Sequence, residues 1–392
     1  MKTAVLLVQI GSPKTPAVDE VREYQRNFLS DPLVISPQPP FWKQILKWFI
    51  LPQRSPKTAK HYETMLNNSE SGEMPLLYNT RKLAEKTGNA HCFLYAGDPN
   101  PQSAIRELAE QGYEKIVIFP LHPQRSGATT EAALQYFKSS LSFSNLNGKS
   151  DTALFGYSCR GTSMTREPLL TSQVVGRGSL SDKGELRKCL PNDDSPSPLK
   201  TPDLRIYDSG EFLEVSTNSS QATPKLILFD KGFAGEDFYI NALMESIKKT
   251  YNQAAVKPTD IVFSFHGIPK KCIANGDPYF QDCETTVRLI FAKLPFRLKY
   301  HLSFQSKFNI NGKWLEPSVR EVVLKLAKKN AAIMVVCPGF VSDNLETIIE
   351  IDDELRAYFE REGGQFWSRV PCLNTDEVWV SGLKNYLSVN FE

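Results

Sequence analysis

KLILFD at 225–230, YINALMESIKKTY at 239–251 and DIVFSF at 260–265 follow one another, and this succession decides the fold. The outer two stretches are short and almost unbroken in apolar character, which is the length and pattern of buried strands. The middle stretch is helical in pattern. Strand, helix, strand implies a parallel sheet with helices laid on its faces. The order repeats outward. Upstream, VLLVQI at 5–10 reads as a strand and about Ala17 to Leu29 as a helix, and the helical SAIRELAEQG leads into KIVIFPL at 115–121. Downstream, AIMVVC at 332–337 is a further strand with a helix beside it. The expectation is α/β, with two parallel sheets, one before about residue 143 and one after about 224. The matching domains are 1–143, joined by the final helix 375–392, and 225–374.

Residues 144–224 are of another kind. SNLNGKSD and LPNDDSPSPLKTPD are rich in Ser, Asn, Asp, Gly and Pro and show no apolar period. Such a composition buries too little surface to order itself. We expect a low-complexity, disordered insertion, with at most a short strand or hairpin around Leu204 to Val215.

The chain has 392 residues, 41% hydrophobic and 23% charged, an ordinary globular balance. A net charge of +2 gives no broad field for nucleic acid. The seven cysteines include no Cys-x-x-Cys pair, which argues against a disulfide framework, a zinc cage or an iron–sulfur cluster. Met1-Lys2-Thr3 leads straight into a strand, and no apolar run reaches membrane-spanning length. A bacterial-type cytoplasm is expected, with a eukaryotic organelle as the alternative.

Three features can carry chemistry. His266 follows the strand IVFSF and precedes Gly267. Ligands of open parallel sheets bind beyond the carboxyl ends of the strands, and an imidazole there can move a proton or hold a borderline metal. The second feature is PGFVSDNLETIIEIDDELRAYFERE, starting at Pro338 after AIMVVC. It reads as a turn running into a helix, with Ser342 or Asp343 as N-cap. Glu346, Glu350 and Glu354 recur at four-residue spacing on one helical face. They form either a solvated acidic face or a carboxylate track for metal or protons. The third is PPFWKQILKWFILPQRSPKTAKHY at 39–62, with Phe41, Trp42, Trp48 and Phe49 beside Lys43, Lys47, Arg54, Lys57 and Lys60. An apolar, aromatic side facing a basic one suits a flat apolar ligand bearing carboxylates, a membrane interface, or packing on a sheet.

Taken together these stretches resemble the ferrochelatase family along most of the chain outside 144–224. LLVQIGSP at 6–13, VREYQRNFLSDPLVI at 21–35, FPLHPQRSGATT at 119–130, SFHGIP at 264–269, GDPYFQDC at 276–283, FQSKF at 304–308, WLEP at 314–317 and PGFVSDNLETIIEID at 338–352 follow in the family's order. The resemblance implies two flavodoxin-like (Rossmann-like) domains facing a porphyrin cleft. It implies insertion of ferrous iron into protoporphyrin IX, with iron as a substrate and no prosthetic group. It implies His266 and Glu346 as the catalytic and metal pair, Glu350 and Glu354 as a proton or metal path, and Arg54 and Tyr62 as porphyrin contacts. Peripheral membrane contact through 39–54 would follow. A non-catalytic porphyrin or haem binder on the same fold, and a chelatase for another tetrapyrrole or metal, remain open. Several positions depart from the family. His122 and Arg125 stand in place of tyrosines, Lys307 in place of arginine, Gln9 in place of asparagine, and Glu73-Met74 in place of the Gly-Ser before Pro75.

Overall fold

The computed structural model describes residues 2–36, 38–144, 224–307 and 312–391. The insertion expected at 144–224, with its strand at 204–215, therefore lies outside the described residues except at its two ends.

Among the described residues, eight strands form two parallel sheets of four. They are β1 (Thr3–Gly11), β2 (Ala90–Ala96), β3 (Lys115–Pro120), β4 (Lys225–Leu228), β5 (Asp260–His266), β6 (Lys299–Gln305), β7 (Ala332–Val336) and β8 (Phe366–Arg369). The spatial orders are β2-β1-β3-β4 and β6-β5-β7-β8, so both halves wind the same way. In each, the chain leaves the first strand to one side and returns on the other. This leaves a crevice at the carboxyl ends of β1 and β3, and another at those of β5 and β7.

One expectation fails here. KLILFD does not open the second sheet. Lys225–Leu228 pairs with β3, Lys115 opposite Lys225 and Ile118 opposite Leu228, and closes the first. The physical reason is the bare edge of β3, whose neighbour on the other side is β1. Parallel pairing with β4 satisfies that edge's backbone groups.

Alternation along the strands builds the core. In β1, Val5 and Leu7 point one way and Ala4, Leu6 and Val8 the other, as period-two geometry requires. In β5 and β7, Ile261, Phe263, Phe265, Met334 and Val336 face inward, while Val262, Ile333 and Val335 face outward. The inward sets of both sheets belong to one apolar cluster. Phe119, Phe233, Tyr239 and Leu243 join it, as do Trp379, Leu383 and Leu387 of the last helix, Glu377–Phe391. The outer faces have separate clusters of their own. No helix of the described residues is long and apolar enough to cross a membrane.

Candidate functional site

His266 is the last residue of β5 and lies opposite Gln305 of β6. Its Nδ1 is 2.8 Å from the carbonyl oxygen of Gly267. A carbonyl can only accept, so Nδ1 carries the proton in the neutral ring. Nε2 is then left with a free lone pair. The Tyr279 hydroxyl donates to the His266 carbonyl at 2.9 Å and steadies the strand end.

The helix that carries Glu346 is not the α-helix expected from four-residue spacing. Glu346–Leu355 is wound as a π-helix, with i→i+5 pairing over ten residues. Its start is set by Asn344. The Thr347 backbone N–H donates to Asn344 Oδ1 and the Asn344 N–H to Thr347 Oγ1, both at 3.0 Å. This is a reciprocal cap, so neither Ser342 nor Asp343 takes that role. Asp343 is instead buried in a network with Arg369, Asn374 and Thr347.

The three acids meet different surroundings. Glu350 accepts from both the backbone N–H and the hydroxyl of Ser306, the N–H at 2.8 Å. Ser306 directly follows Gln305, so strand register brings Glu350 beside His266. Burial pushes the Glu350 carboxyl above its ordinary range. The Ser306 bonds and His266 pull it back in part, and the Glu346 charge pushes it further up. Gln305 Nε2 reaches the Glu346 carbonyl at 3.5 Å, while Ser264 Oγ holds Gln305 Oε1 at 2.7 Å. Glu354 sits at the exposed end, 3.6 Å from His61 Nε2. His266, Glu346 and Glu350 thus share one electrostatic neighbourhood, and Glu354 lies outside it against another helix.

Arg54 and Tyr62 come from the helix Leu51–Asn67. Arg54 is exposed as a residue, yet its guanidinium lies within the field of Glu346, Tyr62 and Tyr24. Burial raises the Tyr62 phenol well above its usual range. Tyr24 and Glu346 add to this, while a hydrogen bond from Ser12 and the Arg54 charge oppose it. Tyr24, from the helix Val18–Ser30, is likewise raised by burial and by Glu346. Both phenols stay neutral. Tyr24, Ser12 and Ser306 are participants that the sequence reading missed. All three lie in stretches that carried the family resemblance, VREYQRNFLS, LLVQIGSP and FQSKF, and that was their only signal.

Of these groups Ser12, Tyr24, Tyr62 and Glu346 line a cleft, together with Ile10, Gly11, Met65, Leu76, Asn344 and Leu345, while His266, Glu350 and Arg54 are not among its lining residues. It is narrow. The volume open to the centre of a water molecule is about 10 Å³, roughly one water. A pocket of this size does not hold a tetrapyrrole disc. Packing explains its size. Tyr62, Met65 and Met74 join Val21, Ala59 and Ile349 in one apolar cluster, which draws the helix Leu51–Asn67 onto the π-helix.

The family departures resolve as follows. Met74 fills that cluster, and Glu73 turns away to bind the Arg81 Nη2 with both carboxylate oxygens. Gln9 is buried and accepts from the Ile10 N–H at 3.0 Å. Arg125 donates to Asp282, and Lys307 is exposed. The Nδ1 of His122, just past β3, is buried with no partner among the described residues, and burial lowers its pKa to about 4.

The lip divides its aromatics. Trp42 is buried and donates from Nε1 to the Leu29 carbonyl at 2.7 Å, so it is an anchor. Phe41, Trp48 and Phe49 are 76%, 65% and 67% exposed, with Lys47 Nζ 4.9 Å from the Trp48 ring centroid.

Comparison with known proteins agrees with this geometry. The profile of the family described as Ferrochelatase matches residues 2–152 and 213–390, so the stretch between has no counterpart in it. A protein named Ferrochelatase from Herminiimonas arsenicoxydans is 31% identical, over 97% of this chain and 85% of its own. One of the same name from Francisella tularensis subsp. tularensis (strain WY96-3418) is 29% identical, over 98% and 95%. Among solved structures, SirB from Bacillus subtilis with Fe3+ is similar in fold. It has a TM-score of 0.51 at 8% identity, covering 99% of this chain and 95% of that one. With the family profile matched over most of its length and a relative 31% identical across nearly all of it, the chain belongs to the ferrochelatase family.

Proposed function

We propose that this chain inserts ferrous iron into protoporphyrin IX to form protohaem, the last step of haem biosynthesis. The observation that carries the reading is the convergence of His266, Glu346 and Glu350, two carboxylates and an imidazole with a free Nε2 lone pair. Insertion exchanges two pyrrole N–H protons for one iron ion, so the site must take protons from the ring and pass them away. His266 Nε2 can accept a pyrrole proton or hold iron in transit, and Glu346 shares that work from the π-helix. Glu350 is raised by burial and holds a proton more readily than a solvated glutamate. It relays outward toward Glu354, which meets solvent beside His61. Arg54 is a fixed cation for a propionate, and neutral Tyr62 and Tyr24 form walls for a flat ring.

The exposed Phe41, Trp48 and Phe49, with Lys43 and Lys47 on the same segment, suit contact with an anionic membrane surface. Such contact would deliver an apolar substrate to the mouth of the cleft. The cytoplasmic side of a membrane is the place of work that fits this pairing.

The test is anaerobic incubation of the pure protein with protoporphyrin IX and ferrous iron, followed by the metalloporphyrin spectrum. Wild type inserts iron, and His266→Ala and Glu346→Ala each lose at least about a hundredfold in rate. Equal rates in both variants and wild type would remove the site assignment. Porphyrin binding by wild type without insertion would make the chain a carrier.

A further inference from the structure

A ten-residue π-helix is an uncommon winding, since i→i+5 pairing normally survives only as a single-turn bulge. Something outside Glu346–Leu355 has to hold it. The strongest grip comes from Arg369, the last residue of β8, whose side chain is 13% exposed. Its Nη1 donates to Asp343 Oδ1 at 2.7 Å and its Nε to Asp352 Oδ2 at 3.1 Å. Asp343 immediately precedes the capping Asn344, and Asp352 lies on the π-helix itself. One planar cation therefore joins two carboxylates nine positions apart, with Glu346 and Glu350 between them.

Each carboxylate is fixed further. Asp343 also accepts from Thr347 Oγ1 at 3.0 Å and Asn374 Nδ2 at 2.7 Å, and Asp352 from Trp367 Nε1 at 3.1 Å. The cation is anchored in turn by strand register. Arg369 lies opposite Val335 of β7, and the next N–H, of Val370, donates to the Val335 carbonyl at 2.8 Å. Rewinding to i→i+4 pairing, at about 100° and 1.5 Å per residue, would turn and advance Asp352 relative to Asp343. A rigid guanidinium fork could not then hold both.

We propose that Arg369 is a positioning residue. It locks the π winding, and so sets Glu346 and Glu350 against His266 without touching substrate. The inference rests on the iron-insertion reading above and adds a residue that acts through the carboxylates.

The experiment uses the full chain with Arg369→Lys, which keeps the charge and loses the fork, together with Asp352→Asn and the double variant. Steady-state insertion into protoporphyrin IX is measured for ferrous iron, and amide exchange by mass spectrometry is followed over 346–355. Arg369→Lys is expected to lower kcat at least about tenfold and raise the KM for iron. The porphyrin KM stays within about twofold, and exchange rises in 346–355 but not in β7. The double variant is no worse than Arg369→Lys alone, as for two residues in one unit. A purely structural arginine would lower the melting temperature and leave kcat per folded molecule and the iron KM unchanged, and that result overturns the proposal. If Arg369→Lys does not fold, Asp352→Asn decides by the same readouts. If wild type inserts no iron, the functional reading fails, and unchanged exchange in the variants would separately remove the clamp.

Discussion

Gly11→Ala tests how the floor of the cleft is made. Gly11 ends β1, opposite Ala96 of β2, at φ +91°. A Cβ there would lie 1.8 Å from the Ala96 carbonyl oxygen and 2.9 Å from its carbon. Carbon and oxygen approach no closer than about 3.3 Å in folded sheets, so the two strand ends must part by about 1.5 Å. The obstacle is backbone and cannot rotate away. Separation breaks the hydrogen bond from the Ser12 N–H to the Ala96 carbonyl, now 3.1 Å, and strands both groups at a cost of about 1–3 kcal/mol. The left-handed backbone adds about 1–2 kcal/mol, offset by about 0.4–1 kcal/mol from a stiffer unfolded chain. The sum is a loss of about 1–5 kcal/mol, or on the order of 2–8 °C in melting temperature for a fold of this size. Gly88→Ala is the control. Its φ is +75° with nothing within 4 Å of the added carbon, so only the backbone strain of about 1 kcal/mol applies. Because Ser12 also bonds Tyr62, Gly11→Ala should raise the porphyrin KM, whereas Gly88→Ala should not. Differential scanning calorimetry and insertion kinetics read both effects. Equal melting temperatures for the two variants would refute the collision argument.

His122 gives a pH prediction. Burial holds its folded pKa at about 4, below the ordinary 6.5. The unfolded chain therefore takes up a proton first as pH falls, and the stability present above 6.5 is lost on the way down to 4. His122→Tyr should flatten that limb by up to about 3 kcal/mol at pH 4. Melting curves from pH 7 to pH 4 check it, and an unchanged acid limb would exclude a buried neutral ring. Trp48→Ser with Phe49→Ser should cut sedimentation with vesicles containing anionic lipid by at least about tenfold, while insertion into detergent-dispersed porphyrin stays near wild type. Undiminished vesicle binding would dismiss the lip as a membrane contact.

The two sheets were legible because β1, β3, β5 and β7 announce themselves as apolar runs, and the β–α–β order leaves few ways to connect them; β2, β6 and β8 are mixed in character and were not read from the sequence. The position of KLILFD was not legible. A four-residue strand arriving after a long patternless stretch carries no mark of which sheet edge it will join. Nor was the π winding, since glutamates four apart fit an α face equally well, and the grip that selects the winding comes from Arg369, far along the chain. His266 stood out by position at a strand end. Tyr24 and Ser306 did not, because an ordinary helix tyrosine and a loop serine acquire their roles only when Glu346 and Glu350 are folded against them. Glu73-Met74 looked like a lost hydroxyl in the sequence. In the fold it is also a gained apolar plug beneath Tyr62.

The inward faces of both sheets bury their side chains in one common cluster. Swinging the halves apart like a clamshell would open that shared interior to water, at a cost far above what a flat ligand returns. An opening confined to the segment Trp42 to Asn67, hung on Trp42 at one end and fastened at the other by Tyr62 and Met65 against Met74, would leave that interior dry. On the iron-insertion reading proposed above, the strength of that fastening would set how fast a disc enters and a product leaves.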